Sequence, residues 1–234
     1  MANLAIIPAR GGSKRIPQKN IKNFLGKPII AYSIKAALNS NLFDEVMVST
    51  DDEEIAKIAK SYGAKVPFLR SNKNSDDFAV LADVVEEVLE NYKSKKKNFD
   101  MICCILPTAP FVTSVKITEA YRKLIENNFD SVFPVLEFSF PIQRSLKIEE
   151  NKVALVWEEN LNSRSQDLEP RYHDSGQFYW VKYTSFIKEK KLFTNNSGAI
   201  VISELQAQDI DTETDWRLAE IKYKIDINDQ ENNF

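Results

Sequence analysis

The sequence predicts an α/β domain in which a mostly parallel sheet carries helices on both faces. Three apolar runs of strand length occur in the first half of the chain, at Leu4–Ala9, Glu45–Thr50 and Met101–Leu106. Segments whose apolar residues recur with helical spacing lie between them. Strands that alternate with helices form parallel sheets, because each helix returns the chain to the edge where the previous strand began. We therefore expect three layers, α/β/α, in a Rossmann-like arrangement.

The elements before Glu137 follow one another in alternation. Pro28 favours a helix start, and Gly63 suits the end of the second helix. Met101–Leu106 is the most continuous apolar run, as expected of a central strand. The remaining predicted strands are Val66–Leu69 and Ser131–Leu136, and the predicted helices are one beginning near Pro28, Asp51–Ser61, Phe78–Tyr92 and Val115–Ile125.

The pattern changes after the strand that ends at Leu136. Residues 137–171 show no helical period, and apolar and polar residues alternate around Lys152–Trp157. This predicts a small antiparallel insertion, which we interpret as a dimerisation arm within one domain of residues 1–234. The chain then returns to the sheet and ends in a helix with a frayed tail. The predicted elements are Gln177–Val181, Ala199–Ile202, the helix Asp215–Lys222 and the tail Asn228–Phe234.

The composition excludes several classes of function. The 234 residues include 31 Lys and Arg against 34 Asp and Glu, a net charge of −3. Proteins that bind nucleic acid usually carry a large basic excess, so no nucleic-acid partner is expected. No apolar stretch approaches the ~20 residues of a membrane span, and the N-terminus lacks a signal-peptide pattern. Cys103 and Cys104 are adjacent on a predicted strand, where they point to opposite faces as core thiols. We expect a cytoplasmic protein.

A basic, glycine-containing loop follows the first strand directly. Gly11 and Gly12 let the backbone approach oxyanions, while Arg10, Lys14, Arg15 and Lys19 supply positive charge. These cations are too many for one phosphate and suit a triphosphate, or the pyrophosphate that leaves one. The loop has neither P-loop nor dinucleotide-fold spacing, so a solvated basic turn is the alternative. Its place at the end of a strand favours a binding site.

Two carboxylates near the C-terminal helix form the second notable pattern. Asp209 and Asp211 project to the same side of an extended chain. Carboxylates so arranged can hold Mg²⁺, which completes its shell with water and phosphate oxygens. The alternative is a helix cap, in which Asp211 or Thr212 caps the helix that contains Trp216. A cap accounts for Asp211 but not for Asp209.

Motifs along nearly the whole chain resemble the CMP-sugar synthetase (cytidylyltransferase) family, whose fold is a nucleotidyltransferase form of the α/β/α sandwich. The segment Leu4–Asn20 resembles the family's N-terminal signature, and the later matches occur in the family's order. They are Phe24–Ile29, Val48–Asp52, Leu106–Pro110, Arg164–Asp167 with Ser175-Gly176, and Asp209–Asp211. Leu106 and Ser175 depart from the amides typical of the sialic-acid branch. Phe140–Arg144 and Tyr172–Tyr179 instead resemble the pseudaminic acid branch.

The resemblance implies transfer of CMP from CTP to a nine-carbon acidic sugar by a Mg²⁺-dependent homodimer. It implies catalytic roles for Arg10, Lys19 and Asp211, with Asp209 and Asp211 holding the metal. The implied nucleotide-binding residues are Arg10, Gly11, Gly12, Ser13, Lys14, Asn20, Arg70, Ser75 and Thr108, with Asp77 near Arg70. The implied sugar-binding residues are Arg144, Arg164, Gln166, Tyr172, Ser175 and Gln177.

Several alternatives remain open at the level of sequence. Arg144, Arg164 and Gln166 can instead belong to the interface of the arm. His173 is a candidate base, although an isolated histidine is more often a structural hydrogen-bonding group. A CMP-sialic acid synthetase or a molybdopterin-type guanylyltransferase is the competing enzyme, and a nucleotide sensor on the same fold is the non-catalytic alternative. Retention of both Asp209 and Asp211 argues against a sensor.

Overall fold

The computed structural model describes residues 1–76 and 79–232, with side chains in the last helix described up to Asp226. The strands are β1 Asn3–Pro8, β2 Asn23–Phe24, β3 Lys27–Pro28, β4 Glu45–Ser49, β5 Met101–Ile105, β6 Ser131–Glu137, β7 Leu146–Glu149, β8 Lys152–Leu155, β9 Tyr172–Asp174, β10 Phe178–Lys182 and β11 Ser197–Val201. The α-helices are α1 Ile30–Asn39, α2 Glu53–Ser61, α3 Leu81–Ser94, α4 Ser114–Glu126, α5 Tyr183–Glu189 and α6 Glu213–Asn232.

The central sheet confirms the predicted α/β class. Its strand order is β11-β6-β10-β5-β1-β4, and β9 pairs with β6 at the sheet's margin. Strands β1, β4, β5, β6 and β11 run in one direction, whereas β10 is antiparallel to both β5 and β6. Strand β1 lies between β4 and β5. The chain leaves β1 first towards one side and later towards the other, which opens a crevice at the carboxyl end of β1.

Apolar residues cover both faces of the sheet. Cys103 belongs to the cluster packed under α1 and α4, while Cys104 belongs to the cluster under α3, so the two thiols point to opposite faces as predicted. Both are fully buried, and burial raises the pKa of each. The predicted role of these cysteines as core thiols is confirmed.

A third apolar cluster anchors the start of α6 to the N-terminal part of the chain. Trp216 packs edge-on against Phe24, with ring centroids 5.6 Å apart. Ile16 and Ile210 are buried in the same cluster. Ile16 comes from the loop after β1 and Ile210 lies between the two predicted metal ligands. The cluster therefore brings the two sequence patterns, distant in the chain, to one place.

Several predicted elements differ in the structure. Val66–Leu69 is not a strand: Lys65 makes one bridge to Met47, and Pro67 lacks the N–H that a continued ladder needs. The third predicted helix starts at Leu81 rather than Phe78, which lies outside the described residues together with Asp77. Helix α5 was not predicted. Helix α6 extends through Asn232, beyond the predicted end at Lys222. It therefore includes much of the tail that was expected to be frayed, and the last two residues of that tail lie outside the described part.

Residues 137–171 contain the short hairpin of β7 and β8. Its register pairs Leu146 with Leu155 and Ile148 with Val153, so apolar side chains from both strands share one face. Ile148 is 74% exposed and Val153 61% exposed. Within the described residues, no helix is long and apolar enough to cross a membrane.

Candidate active site

A polar cavity of about 280 Å³ lies at the carboxyl ends of β1 and β5. It gathers seven of the predicted nucleotide-binding or catalytic residues: Arg10, Ser13, Lys14, Lys19, Asn20, Arg70 and Thr108. The cavity therefore occupies the crevice that the strand order creates at β1. Its cationic wall suits a polyphosphate.

The glycine loop is held by contacts that the sequence did not reveal. The Gly11 N–H donates to Asp51 Oδ1 at 2.9 Å, and a Cβ on Gly11 would lie 2.8 Å from Asp52 Oδ2. Gly11 is thus needed for close packing against Asp52, the N-cap of α2. Gly12 borders open space, because a Cβ added to it would have no atom within 4 Å. The Asn20 amide donates to the Arg10 carbonyl at 2.9 Å and so fixes the far end of the loop.

Arg70 forms part of the cavity wall from a buried position. Its Nε donates to Ser49 Oγ at 3.0 Å, and its Nη2 donates to the Ser49 carbonyl. Burial lowers the pKa of this guanidinium from its usual value. Asn74, which the sequence analysis did not single out, lines the cavity beside it, whereas Ser75 does not. The Ser75 hydroxyl donates to the Ser71 carbonyl at 2.8 Å, and its nucleotide-binding role stays a prediction.

Lys19 links the first cavity to the predicted metal ligands. Its ammonium donates to the Ile210 carbonyl at 2.6 Å and lies 3.4 Å from Asp211 Oδ1. Arg15 Nη2 lies 2.9 Å from the same carboxylate oxygen. Asp211 therefore sits at the edge of the cavity, in contact with two cations of the loop after β1.

Thr212, rather than Asp211, caps helix α6. Thr212 Oγ1 accepts from the Asp215 N–H at 3.2 Å, while the Asp215 carboxylate accepts from the Thr212 N–H at 2.7 Å. This reciprocal pair is a capping box in form. Because Thr212 caps α6, the carboxylate of Asp211 is not required as the cap and remains at the cavity edge.

Asp209 and Asp211 fit a divalent cation of the hard type. Partial burial raises the pKa of Asp209, and the charge of Asp211 raises it further. A cation bound between two carboxylates that repel each other relieves this repulsion. Among the described residues no group of three or more His, Cys, Asp or Glu could hold a metal. A two-carboxylate donor set matches Mg²⁺, which is usually bound by one or two carboxylates together with substrate phosphates and water.

A second cavity, of about 580 Å³, lies on the other side of Asp209. Leu106 and Leu136 form its apolar wall, while His173, Asp174 and Ser175 contribute polar groups. Ser175 is only 5% exposed, and its hydroxyl has no hydrogen-bond partner. An unpaired buried hydroxyl is costly, so a polar ligand group in this cavity would satisfy it. Leu106 lines this cavity while Pro107 and Thr108 line the first, so the two cavities are neighbours.

Gln177, which follows Gly176, is not among the residues that line this cavity. Its Nε2 donates to the Gln206 carbonyl at 2.6 Å, and its buried Oε1 has no partner. The turn before it is shaped by Asp174, whose Oδ1 accepts from the Gly176 N–H at 2.9 Å. Gly176 has a φ of 63°, a value that favours glycine.

The four other predicted sugar-binding residues, like Gln177, do not line either cavity within one chain. Arg164 pairs with Asp167 at 2.7 Å, and Arg144 lies 3.5 Å from Ser165 Oγ. Gln166 and Tyr172 are exposed. Three of these residues belong to the arm, and Tyr172 begins β9 directly after it. Their roles towards a sugar stay predictions.

The family model described as Cytidylyltransferase matches residues 4–226 of the chain. A pseudaminic acid cytidylyltransferase of Campylobacter jejuni is 46% identical over 226 residues, which cover 96% of this chain and 97% of that protein. The chain belongs to the cytidylyltransferase family. This confirms the family resemblance found in the sequence.

A more distant sequence relative and a solved structure also match this cytidylyltransferase over most of its length. A CMP-N,N'-diacetyllegionaminic acid synthase of Legionella pneumophila is 34% identical and covers 94% of this chain and 95% of that protein. Among solved structures, a CMP:2-keto-3-deoxy-manno-octonic acid synthetase complexed with CTP matches with a TM-score of 0.70 at 16% identity. The match covers 97% of this chain and 100% of that one. At that identity the match supports the nucleotidyltransferase fold alone.

Proposed function

We propose that this cytidylyltransferase transfers CMP from CTP to the anomeric hydroxyl of pseudaminic acid, releasing pyrophosphate. The observation that carries the proposal is the position of the carboxylate pair. Asp211 contacts the cations of the first cavity, whereas Asp209 lines the second. A triphosphate in the first cavity and a sugar in the second would meet beside these two carboxylates.

The chemistry follows from that juxtaposition. The sugar hydroxyl oxygen bonds to the α-phosphorus, and the bond from that phosphorus to the oxygen bridging to the β-phosphate breaks. Pyrophosphate leaves with the electron pair, and the hydroxyl proton is lost. Arg10, Lys14 and Lys19 line the cavity where the leaving group accumulates charge, and cations there stabilise the transition state. His173 lines the sugar cavity and is our candidate acceptor for the proton.

Asp209 and Asp211 would hold Mg²⁺. When bound, the ion neutralises phosphate charge and acidifies an attacking hydroxyl. Lys19 would keep the segment between the two carboxylates in place through its bond to the Ile210 carbonyl. Because CTP is a cytoplasmic metabolite, we also place the reaction in the cytoplasm.

The identity of the sugar rests on sequence likeness and on the sugar cavity. The Campylobacter jejuni relative named for pseudaminic acid is more similar to this chain than the relative named for legionaminic acid. Leu106 puts an alkyl group where a sialic-acid enzyme usually has an amide, and it lines the second cavity. An apolar wall there favours a sugar that presents methyl groups over one that presents hydroxyls.

The arm supports a homodimer. The apolar face of the hairpin, formed by the exposed Leu146, Ile148 and Val153 and the half-buried Leu155, would be covered by the same face of a second copy. The occupant we propose is this second copy, because a two-fold contact removes the same apolar face from water on both copies. Pairing of the arms would also remove an unprotected two-stranded sheet edge.

Pyrophosphate release from CTP tests the proposed reaction. The wild-type protein with Mg²⁺ should release pyrophosphate only when an acceptor sugar is present, and most rapidly with pseudaminic acid among nonulosonic acids. Product analysis should show the CMP-sugar in equal amount. CTP binding without turnover on any sugar of the panel would contradict the enzyme assignment and favour a nucleotide sensor.

A further inference from the structure

The segment that carries Asp209 and Asp211 is held at both ends by hydrogen bonds to side chains. Upstream, Lys222 of α6 donates from Nζ to the carbonyls of Glu204 and Ala207, each at 3.1 Å. Gln177 donates to the carbonyl of Gln206, which lies between them. Three carbonyls of this one short turn are thus bound by the side chains of Lys222 and Gln177.

The downstream end is held by Asp215. Its Oδ2 accepts from the Asp211 N–H at 3.1 Å, from the Thr212 N–H at 2.7 Å and from Thr212 Oγ1 at 2.8 Å. The first of these bonds reaches past the helix cap to the backbone of the predicted metal ligand itself. Asp215 therefore fixes Asp211 as well as the start of α6.

Such restraint has a physical purpose at this position. Asp209 and Asp211 carry like charges two residues apart on one short segment. In the absence of a cation, an unrestrained segment would relax so as to separate them. Between them Ile210 is 1% exposed in the cluster of Trp216, which resists rotation of the segment. The two outer contacts limit the movement that remains.

We propose that Lys222 and Asp215 are positioning residues that hold the two carboxylates ready to share one divalent cation with the bound triphosphate. The proposal rests on the metal-dependent function above and adds to it the groups that preorganise the site. Residues that orient metal ligands without touching the metal commonly change metal affinity about 10- to 100-fold.

Lys222 is better explained by this role than by docking of α6. The helix is already anchored by Trp216 and Ala219, which are 3% and 0% exposed. Lys222 is partly exposed and lines the sugar cavity. Replacement of its ammonium should therefore leave the protein folded. Lys224 lies two residues further along α6 and is exposed, which makes it a matched control of equal charge change.

The test measures how strongly a metal tightens CTP binding. Calorimetry gives the Kd for CTP with EDTA and with Mn²⁺, in the absence of sugar. For Lys222→Met we expect the Mn²⁺-dependent tightening to fall about tenfold, with the Kd in EDTA unchanged. Asp215→Asn should show the same loss. Lys222→Arg should restore part of it, since a guanidinium can still donate to two carbonyls, and Lys224→Met should behave as wild type.

The outcomes separate this proposal from the proposed function. Wild-type tightening that persists undiminished in Lys222→Met and Asp215→Asn overturns the positioning role while leaving the metal site intact. An equal loss in EDTA and in Mn²⁺ also overturns it, because it indicates general damage to the fold. A wild-type protein whose CTP affinity does not respond to Mn²⁺ overturns the metal assignment, and this proposal with it.

Discussion

Lys19→Met offers a sharp test of how the first cavity recognises its ligand. The ammonium of Lys19 lines that cavity, donates to the Ile210 carbonyl at 2.6 Å and lies 3.4 Å from Asp211. If it also contacts the β- or γ-phosphate, its loss removes a charged hydrogen bond from CTP binding. CMP, which lacks both phosphates, should be affected much less.

The size of the effect follows from the kind of contact. A hydrogen bond that involves a charged group contributes about 1.5–3 kcal/mol. At about 1.4 kcal/mol per tenfold change in Kd, CTP binding should weaken about 10- to 100-fold. For CMP we expect the Kd to change by less than about twofold, because CMP lacks the β- and γ-phosphates that Lys19 would contact.

The assay is calorimetric titration with CTP and CMP in EDTA, so that the effect of Lys19 on the metal ligands does not enter. Lys22→Met is the matched control: its ammonium lies 2.6 Å from Glu213 and 4.7 Å from the centroid of Trp216, outside the cavity lining. An equal loss for CTP and CMP would refute the reasoning and move Lys19 to the α-phosphate or to a structural role.

Four further predictions follow from the same geometry. Asp211→Ala should abolish turnover in a folded protein; activity near that of wild type across a Mg²⁺ titration would remove Asp211 from the metal site. Asp209→Asn should raise the Tm of the metal-free protein at pH 7. The pKa of Asp209 in the folded protein lies above the ordinary 3.8, so its ionised carboxylate lowers the free energy of unfolding at pH 7. Below pH 3.8 the carboxyl is protonated in both states, and the gain in Tm should vanish. The protein should be a dimer by light scattering at micromolar concentration, and Ile148→Glu should yield monomers whereas Lys147→Glu, on the other face of the hairpin, should not. The value of kcat/KM should be higher for pseudaminic than for sialic acid, on the order of a hundredfold. Leu106 and Ser175 each replace an amide, and a polar group of sialic acid left unpaired by such a change costs about 1–3 kcal/mol. A preference for sialic acid would refute the sugar assignment.

The sequence by itself predicted most of the polar residues that line the first cavity. A loop rich in cations directly after an apolar strand, and an Asp-x-Asp pair before a helix, are local patterns whose spacing along the chain encodes their chemistry. Arg10, Lys14 and Lys19 therefore could be found without a structure. The alternation of strands and helices likewise predicted a mostly parallel sheet, because periodicity depends only on neighbouring residues. Val66–Leu69 was misread because Pro67 blocks a ladder that its apolar neighbours suggest.

Only the tertiary structure decided which groups meet. Lys19 reaches the Ile210 carbonyl 191 residues away, and Gly11 packs on Asp52, the N-cap of α2. Such contacts follow from strand order, to which local periodicity is blind. The choice of Thr212 as the helix cap, and the hold of Lys222 on the turn before Asp209, depend on where α6 docks. That docking is set by the packing of Trp216 against Phe24, because an aromatic contact between distant segments fixes an orientation that neither segment specifies alone.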